Sequence, residues 1–435
     1  MIILKNCNAV NFYPAEIINN VDIVIDNNVI INVAQNASTN YKAETEIDLS
    51  GKYVSPGLVC AHNHLYSMLS RGITASIRPS NDFISILKNL WWKLDRSLDE
   101  EAVYYSGITG AIEAIKSGCT SVFDHHSSPL FIKGSLNTLR QCFFKTGLRG
   151  VLAYEISDRD GIKKMMESVR ESIEFINSVN EQKGSTVEAA IGAHASFTLS
   201  DNSLSLISDA LNNTDKGLHI HAGEDAFDTS HSHFTHSKDI IKRFDDFNLI
   251  NNKTIIAHGV HLTKDDVEII NRHDAFIVHN PRSNMNNNVG YLNHLNSINN
   301  VGLGTDGIGS DMLEELKFAY FRNKESNYKL RDEDFLRLLH SGNILLNRYF
   351  HNKFGKVAKD FIADLVVWDY PSPTPFTSEN ITGHLVYGFS SKYVESVIIN
   401  GEFVYKNREL PFEINGIYQE AQKAAINLWQ RIDKL

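Results

Sequence analysis

Along this 435-residue chain, a short apolar run repeatedly ends in a side chain able to bind a metal and is followed at once by glycine or polar residues. The runs VCAHNH, LHIHAGE, IIAHG and GLGTDG present His62, His64, His221, His258 and Asp306 in this way. Short apolar runs bounded by turn signals read as buried strands, and helical stretches such as LDEEAVYYSGITGAIEAIKSGC and KDDVEIINRHD separate them. Strand starts recur near Leu58, Thr120, Gly150, Val187, Gly217, Thr254, Ala275 and Val301. Such alternation predicts an α/β fold with a parallel sheet, and eight starts favour closure into a (β/α)8 TIM barrel over 56–356. A barrel of this kind collects its chemistry at the C-terminal strand ends, so distant residues can converge on one ion.

The first 55 residues read instead as short strands broken by turns, with Asp26, Asn27 and Asn28 between β-branched runs. The texture returns in ADLVVWDY and VESVIINGEFVYKNREL, where Asn400-Gly401 is a hairpin signal. Residues 1–55 and 357–412 are therefore expected to form one composite β-sandwich domain, and 413–435 an amphipathic outer helix. Forty-two Lys and Arg against 52 Asp and Glu give a net charge of −10, which argues against nucleic acid or an anionic membrane and favours a small-molecule partner. No apolar stretch approaches the roughly 20 residues of a membrane-spanning helix. Cys7, Cys60, Cys119 and Cys142 form no CxxC motif and follow no secretory leader, so a reduced, cytoplasmic setting is expected.

Cys60, His62 and His64 stand at alternate positions of the first barrel strand, so both imidazoles can face one ion with Cys60 a layer deeper. His219 and His221 form a second same-face pair. His221, nearer the rim, is the better placed ligand, and His219 packs inside. Just beyond, Glu224 can take a proton from water and pass it to a leaving nitrogen. His258 either coordinates the ion or stands beside it as a hydrogen-bond donor. Asp306 can neutralise the ion and act as general base with its free oxygen, and its neighbouring glycines leave room for substrate. Asp124, His125 and His126 read as polar and rim-facing, without an assigned role. His231, His233 and His236 read as a surface loop, and Asp311 with Glu314 as a helix capping box.

The segments VSPGLVCAHNH, LHIHAGE, IIAHGVHL, VHNPRSNM and LGTDGIGSDM resemble the strand-end motifs of the amidohydrolase superfamily, in its chlorohydrolase and nucleobase-deaminase branch. NFYPAE, DFISILKNLWWKLDR, SGCTSVFDHH and NNNVGYLNH further resemble the SsnA-type aminohydrolases. The resemblance implies one divalent ion, usually zinc and in some members iron, held by His62, His64, His221 and Asp306. Glu224 and His258 would then move protons and position water. A homodimer is also implied, and no carboxylated-lysine motif for a second ion is present. The implied reaction is hydrolysis of a non-peptide C–N bond in a nitrogen heterocycle derived from a purine, by deamination. Ring-opening hydrolysis of a cyclic amide and dehalogenation are the alternatives. A non-catalytic scaffold should lack one of the site residues, and none is missing.

For substrate, Trp91 and Trp92 either stack on a flat ring or belong to a helix covering the barrel mouth. Asp95 aligns with an acidic substrate-contacting position of the branch, and His194 resembles its substrate-binding histidine. Ser283 and Asn284 resemble a motif that shapes the pocket floor, with loop stabilisation as the equal alternative. After them, Met285-Asn286-Asn287-Asn288-Val289-Gly290 departs from the Lys-Leu-small-Gly run of relatives.

Overall fold

The computed structural model describes residues 1–182, 184–326 and 329–435. Its strands are β1 (Ile2–Asn11), β2 (Glu16–Asp26), β3 (Val29–Ala34), β4 (Thr45–Asp48) and β5 (Tyr53–Pro56), then β6 (Leu58–Asn63), β7 (Cys119–His126), β8 (Arg149–Ile156), β9 (Val187–Ala189) and β10 (Ile191–Ala195). There follow β11 (Leu218–Ala222), β12 (Ile255–His258), β13 (Phe276–His279), β14 (Val301–Leu303), β15 (Leu365–Trp368), β16 (Val394–Ile399) and β17 (Glu402–Tyr405).

Strands β6 to β14 form a parallel sheet in the order β14-β13-β12-β11-β10-β8-β7-β6, with β9 paired to β8. Beyond β14 the ring closes by backbone bonds from Thr305 and Asp306 N–H to the His62 carbonyl and from His64 N–H to the Asp306 carbonyl. Gly304 makes this approach possible: a Cβ there would lie 2.5 Å from Asn280 Oδ1 and 2.8 Å from His62 Cβ. The expected barrel is present. Alternate residues of β6 divide between two environments. Val59 and Ala61 join the apolar cluster of Phe123, Phe276, Leu345 and Tyr349, whereas His62 enters the polar site.

The crossover helices begin where the sequence offers caps. Asp99 accepts from Ala102 N–H ahead of Glu100–Lys116, and Thr263 with Asp266 forms a capping box ahead of Lys264–Arg272. Asp311 caps Met312–Glu325, but Glu314 does not complete the expected box; it pairs with Arg282 at 2.5 Å. His231, His233 and His236 lie on the helix Ala226–His236, not in a loop, because Asp225 caps it and the apolar Phe227 packs near Phe197.

The two chain ends form a separate, largely antiparallel sheet in the order β17-β16-β15-β5-β1-β2-β3, with β4 also on β1. Irregularities in β1 near Cys7 curl it around a core that includes Leu4, Ile23, Val54, Leu365 and Ile398. Arg149 at the start of β8 ties barrel to sheet through a buried two-pronged pair with Asp364, at 2.7 and 3.1 Å. The last helix, Asn415–Ile432, buries Ala421, Ala424, Leu428 and Ile432 along one face and donates from Trp429 to the Leu69 carbonyl. Among the described residues no helix is long and apolar enough to cross a membrane.

Candidate active site

His62, His64, His221 and Asp306 bring one ligand atom each into a single group. His64 Nε2 lies 3.1 Å from His221 Nε2 and 3.0 Å from Asp306 Oδ1, and His62 Nε2 lies 3.5 Å from the same oxygen. Two nitrogens held ~2.0–2.1 Å from one zinc ion in a tetrahedron stand roughly 3.3 Å apart, so these spacings match a four-ligand cage. Tautomers agree with that use. His64 Nδ1 donates to the His125 carbonyl at 2.5 Å and His221 Nδ1 to the His194 carbonyl at 2.8 Å, which leaves each Nε2 with its lone pair inward. His62 Nδ1 meets His219 Nε2 at 2.8 Å, while its own buried Nε2 has no hydrogen-bond partner. The donor set fits one divalent metal ion. His219 sits beneath, as expected.

On the other side of Asp306, His258 Nε2 faces Asp306 Oδ2 at 3.8 Å and Glu224 Oε2 at 3.5 Å. Asn284 Oδ1 accepts from His258 Nδ1 at 2.8 Å, and the Ser283 hydroxyl donates to Asp306 Oδ2. Ser283 and Asn284 thus hold Asp306 and His258 from behind, and neither lines the cavity. Asn287, within the run that departs from relatives, donates to Glu224 Oε1 at 3.1 Å. Both His258 (φ 75°) and Asp306 (φ 52°) adopt left-handed backbone at their strand ends. Such conformations persist where surrounding contacts over-determine them, here the barrel seam and the Asn284 bond.

Burial opposes charge on His64, but its hydrogen bond to Asp306 prevails and pushes the imidazole up to about 9. Asp306, despite burial, is held well below the usual carboxylate range by His62 and His64. A proton and a divalent cation therefore compete for this cage. Burial raises Glu224, with His258 pulling the other way.

Above the cage lies a cavity of about 650 Å³, counted to its open mouth, walled by Trp91, Trp92, Asp95, His194, Phe197 and Glu224 among others. Trp91, Trp92 and Asp95 come from a helical segment running through Phe83–Ile86, Leu87–Trp91 and Trp92–Asp95, whose middle turn is a π-helix. The two readings of the tryptophans are therefore compatible: the segment covers the mouth and both rings line the cavity. His194 Nδ1 bonds to Thr198 Oγ1 at 2.8 Å, and its ring stands edge-on to Trp92 at 6.3 Å.

Among the wall residues not singled out in the sequence are Glu155 and Arg159. Glu155 stands at the end of β8 and Arg159 just after it in YEISDRDG, so the strand-end rule that located the histidines would have flagged them. Arg159 pairs with Glu155 at 2.7 Å and with Asp95 at 3.0 Å. Burial pushes Asp95 up to about 7 against the pull of Arg159, while Glu155, equally buried, is held well below the usual range by His194, His125 and Arg159. Asp124, His125 and His126 are fully buried and do not face the rim. Asp124 accepts from Leu65 N–H, and His125 Nε2 donates to the His219 carbonyl, because β7 packs directly against β6 under the cage.

Residues 53–404 match the model of the Amidohydrolase family. The chain belongs to the amidohydrolase family. It is accordingly a hydrolase acting on carbon–nitrogen bonds. This amidohydrolase is 30% identical over 416 residues to 5-methylthioadenosine/S-adenosylhomocysteine deaminase of Thermococcus onnurineus, covering 94% of this chain and 95% of the relative. It is 28% identical over 415 residues to 5'-deoxyadenosine deaminase of Methanocaldococcus jannaschii, covering 92% and 95%. In three dimensions it resembles a zinc-bound adenosine deaminase from Xanthomonas campestris (TM-score 0.86, 20% identity, 100% and 99% covered). It also resembles the zinc-complexed atrazine chlorohydrolase TrzN of Arthrobacter aurescens (TM-score 0.83, 18% identity, 98% and 100% covered).

Proposed function

We propose that this amidohydrolase removes the exocyclic amino group of an aminopurine, in the form of an adenosine-like nucleoside, releasing ammonia and leaving a carbonyl on the ring. The observation that carries the reading is that His64, His221 and Asp306 of the cage line the same cavity as the Glu224 carboxylate. The relatives named as deaminases of adenosine derivatives supply the substrate class. His62, His64, His221 and Asp306 would hold a divalent ion, zinc as in the two solved structures or else iron, which would supply an activated water at neutral pH and Lewis-acid polarisation.

The protein groups then divide the proton work. Asp306 takes the proton of the attacking water, its second oxygen fixed by Ser283. Glu224 donates to a ring nitrogen and afterwards carries a proton to the departing amine. His258, its Nδ1–H committed to Asn284 Oδ1, keeps the Nε2 lone pair to accept from the attacking water and position it. His194 and the Trp91 and Trp92 rings border the flat heterocycle, and Asp95 takes a polar substituent. We extend the reading to purine breakdown in a reducing cytoplasm, where four buried free cysteines remain thiols.

The test is a panel of aminopurines, oxopurines and partly reduced or opened purines offered to metal-loaded enzyme, with ammonia assay and mass spectrometry. Deamination gives ammonia with the ring intact. Uptake of one water without ammonia indicates ring opening, and chloride release from a chlorinated triazine indicates dehalogenation. Either of those without deamination overturns the proposal, as does a purified protein carrying well below one ion per chain.

A further inference from the structure

Phe83, Leu87, Trp91, Trp92 and Asp95 of the cavity wall all come from the helical cover between β6 and the helix Glu100–Lys116. Whatever holds that cover in place therefore sets one side of the cavity. Its middle rests on apolar packing, where Phe83 clusters with Val260, Val289 and Phe197 from three separate strand connections. Among the described residues no hydrogen bond ties 77–91 to anything outside the cover; those of Asn81, Asp82, Ser85 and Asn89 stay within it. Both ends, in contrast, are held by the last turn of the C-terminal helix Asn415–Ile432. Where the chain leaves β6, the Trp429 indole donates to the Leu69 carbonyl at 2.8 Å and the Asp433 carboxylate accepts from Ser76 N–H at 2.6 Å. Where the cover ends, Arg431 Nε donates to the Ser97 carbonyl at 2.7 Å and Nη2 donates to Asp99 Oδ1 at 2.8 Å, the carboxylate that caps Glu100–Lys116. Leu428 and Ile432, both fully buried, fix the direction in which this turn points. The second end is also held by the Asp95–Arg159 and Arg96–Asp160 pairs, and the first by Arg71 with Glu113. Past Arg71, the bond from Ser76 to Asp433 is the last polar tie before the apolar middle begins.

We propose that Trp429, Arg431 and Asp433 are positioning residues: the last turn of the C-terminal helix clamps both hinges of the cover and thereby sets where Trp91, Trp92 and Asp95 stand in the cavity. Apolar packing is non-directional and lets one surface slide over another, whereas hydrogen bonds from one rigid turn fix both place and angle. With both hinges tied to that turn, the cover can deform only between them. Release of the hinges lets the middle shift over Val260 and Val289 and carries the tryptophans with it. The cage histidines are aimed by strand carbonyls instead, so a loosened cover should weaken substrate binding before it slows the chemical step. That last consequence alone rests on the aminopurine reading.

The experiment compares metal-loaded wild type with Arg431→Ala, Asp433→Ala and the double variant, by hydrogen exchange with mass spectrometry and by kinetics on adenosine. In the double variant, amide exchange across 77–91 should speed up by about 10-fold, the scale of losing charge-assisted hydrogen bonds, while the barrel strands exchange as in wild type. KM for adenosine should rise about 5-fold, with kcat changed by less than about twofold and metal content unchanged. Asp433→Asn keeps an acceptor for Ser76 N–H and should behave as wild type; a defect as large as that of Asp433→Ala counts against the clamp. The proposal is overturned if the folded, fully metallated double variant exchanges over 77–91 at the wild-type rate, or exchanges faster throughout the barrel, or keeps the wild-type KM. Should the double variant fail to fold, Asp433→Ala decides by the same readings, since Asp433 lies on the surface. If no aminopurine is deaminated, the reaction reading fails separately and exchange alone decides: acceleration confined to the cover supports the clamp, and any other pattern sinks it.

Discussion

The two ends of the cavity are built by different means. The metal-competent end hangs on strand termini: His62 and His64 at β6, His221 at β11, His258 at β12 and Asp306 just after β14. Its side chains are aimed by the pleat and by the carbonyls of neighbouring strands, and its distances already match one ion. The opposite end hangs on connections: Trp92 and Asp95 on the helical cover after β6, Glu155 and Arg159 at and after β8, His194 on β10. Its partners are charges and rings from other connections. On the proposed reading, the strand ends would carry the chemistry and the connections the choice of substrate.

Removing a ligand should have the largest effect. His62→Ala or His221→Ala opens a position in the cage, so bound metal should become substoichiometric. Activity should fall ~10³-fold or more, because only a bound ion brings the pKa of water from ~16 toward ~7. Metal analysis beside turnover checks this, and full metal retention by both variants would remove them from the ligand set.

Glu224→Gln sharpens the comparison by separating metal binding from proton transfer at the same wall. Metal should remain while turnover falls by roughly 10²-fold or more, the scale of a lost acid–base group. Near-normal turnover would leave Glu224 as a rim residue.

A smaller effect is expected from Asn284→Ala, which releases His258 Nδ1 without touching the cavity. A fall in kcat of about 10-fold with metal content and KM little changed fits a partner that orients a working imidazole. A change confined to KM would instead return Asn284 to substrate contact.

The smallest effect on turnover belongs to Arg149→Ala, at the seam between barrel and end sheet. Leaving Asp364 buried and unpaired should destabilise the fold by about 3–5 kcal/mol, read by chemical denaturation, while the protein that remains folded keeps its kcat. Loss of kcat without loss of stability would mean that the seam reaches the site.

Much of the first end was legible in the sequence because strand periodicity fixes direction. A residue two positions from another on a strand shares its face, and a run that ends at glycine marks the rim, so VCAHNH and LHIHAGE show which histidines meet. The same rule applied to YEISDRDG would have found Glu155 and Arg159. His125 resisted it, since its burial under the cage depends on how β7 packs against β6. Ser283 and Asn284 were recognisable as a motif, but whether they meet substrate or stand behind Asp306 and His258 depends on a short helix, Pro281–Asn286, turning them inward.

By itself, the sequence indicated a barrel with an appended sheet, histidines and an aspartate at strand ends able to meet at one ion, and a glutamate next to them. These follow from local periodicity and from the few side chains that can bind a metal, both of which are written along the chain. Only the tertiary structure decided that Asp306 divides its oxygens between the cage and His258, that Asn287 holds Glu224, and that Arg159 pairs with both Asp95 and Glu155. Those facts are pairings between residues on different connections, and the strength of a buried charge depends on which partners surround it.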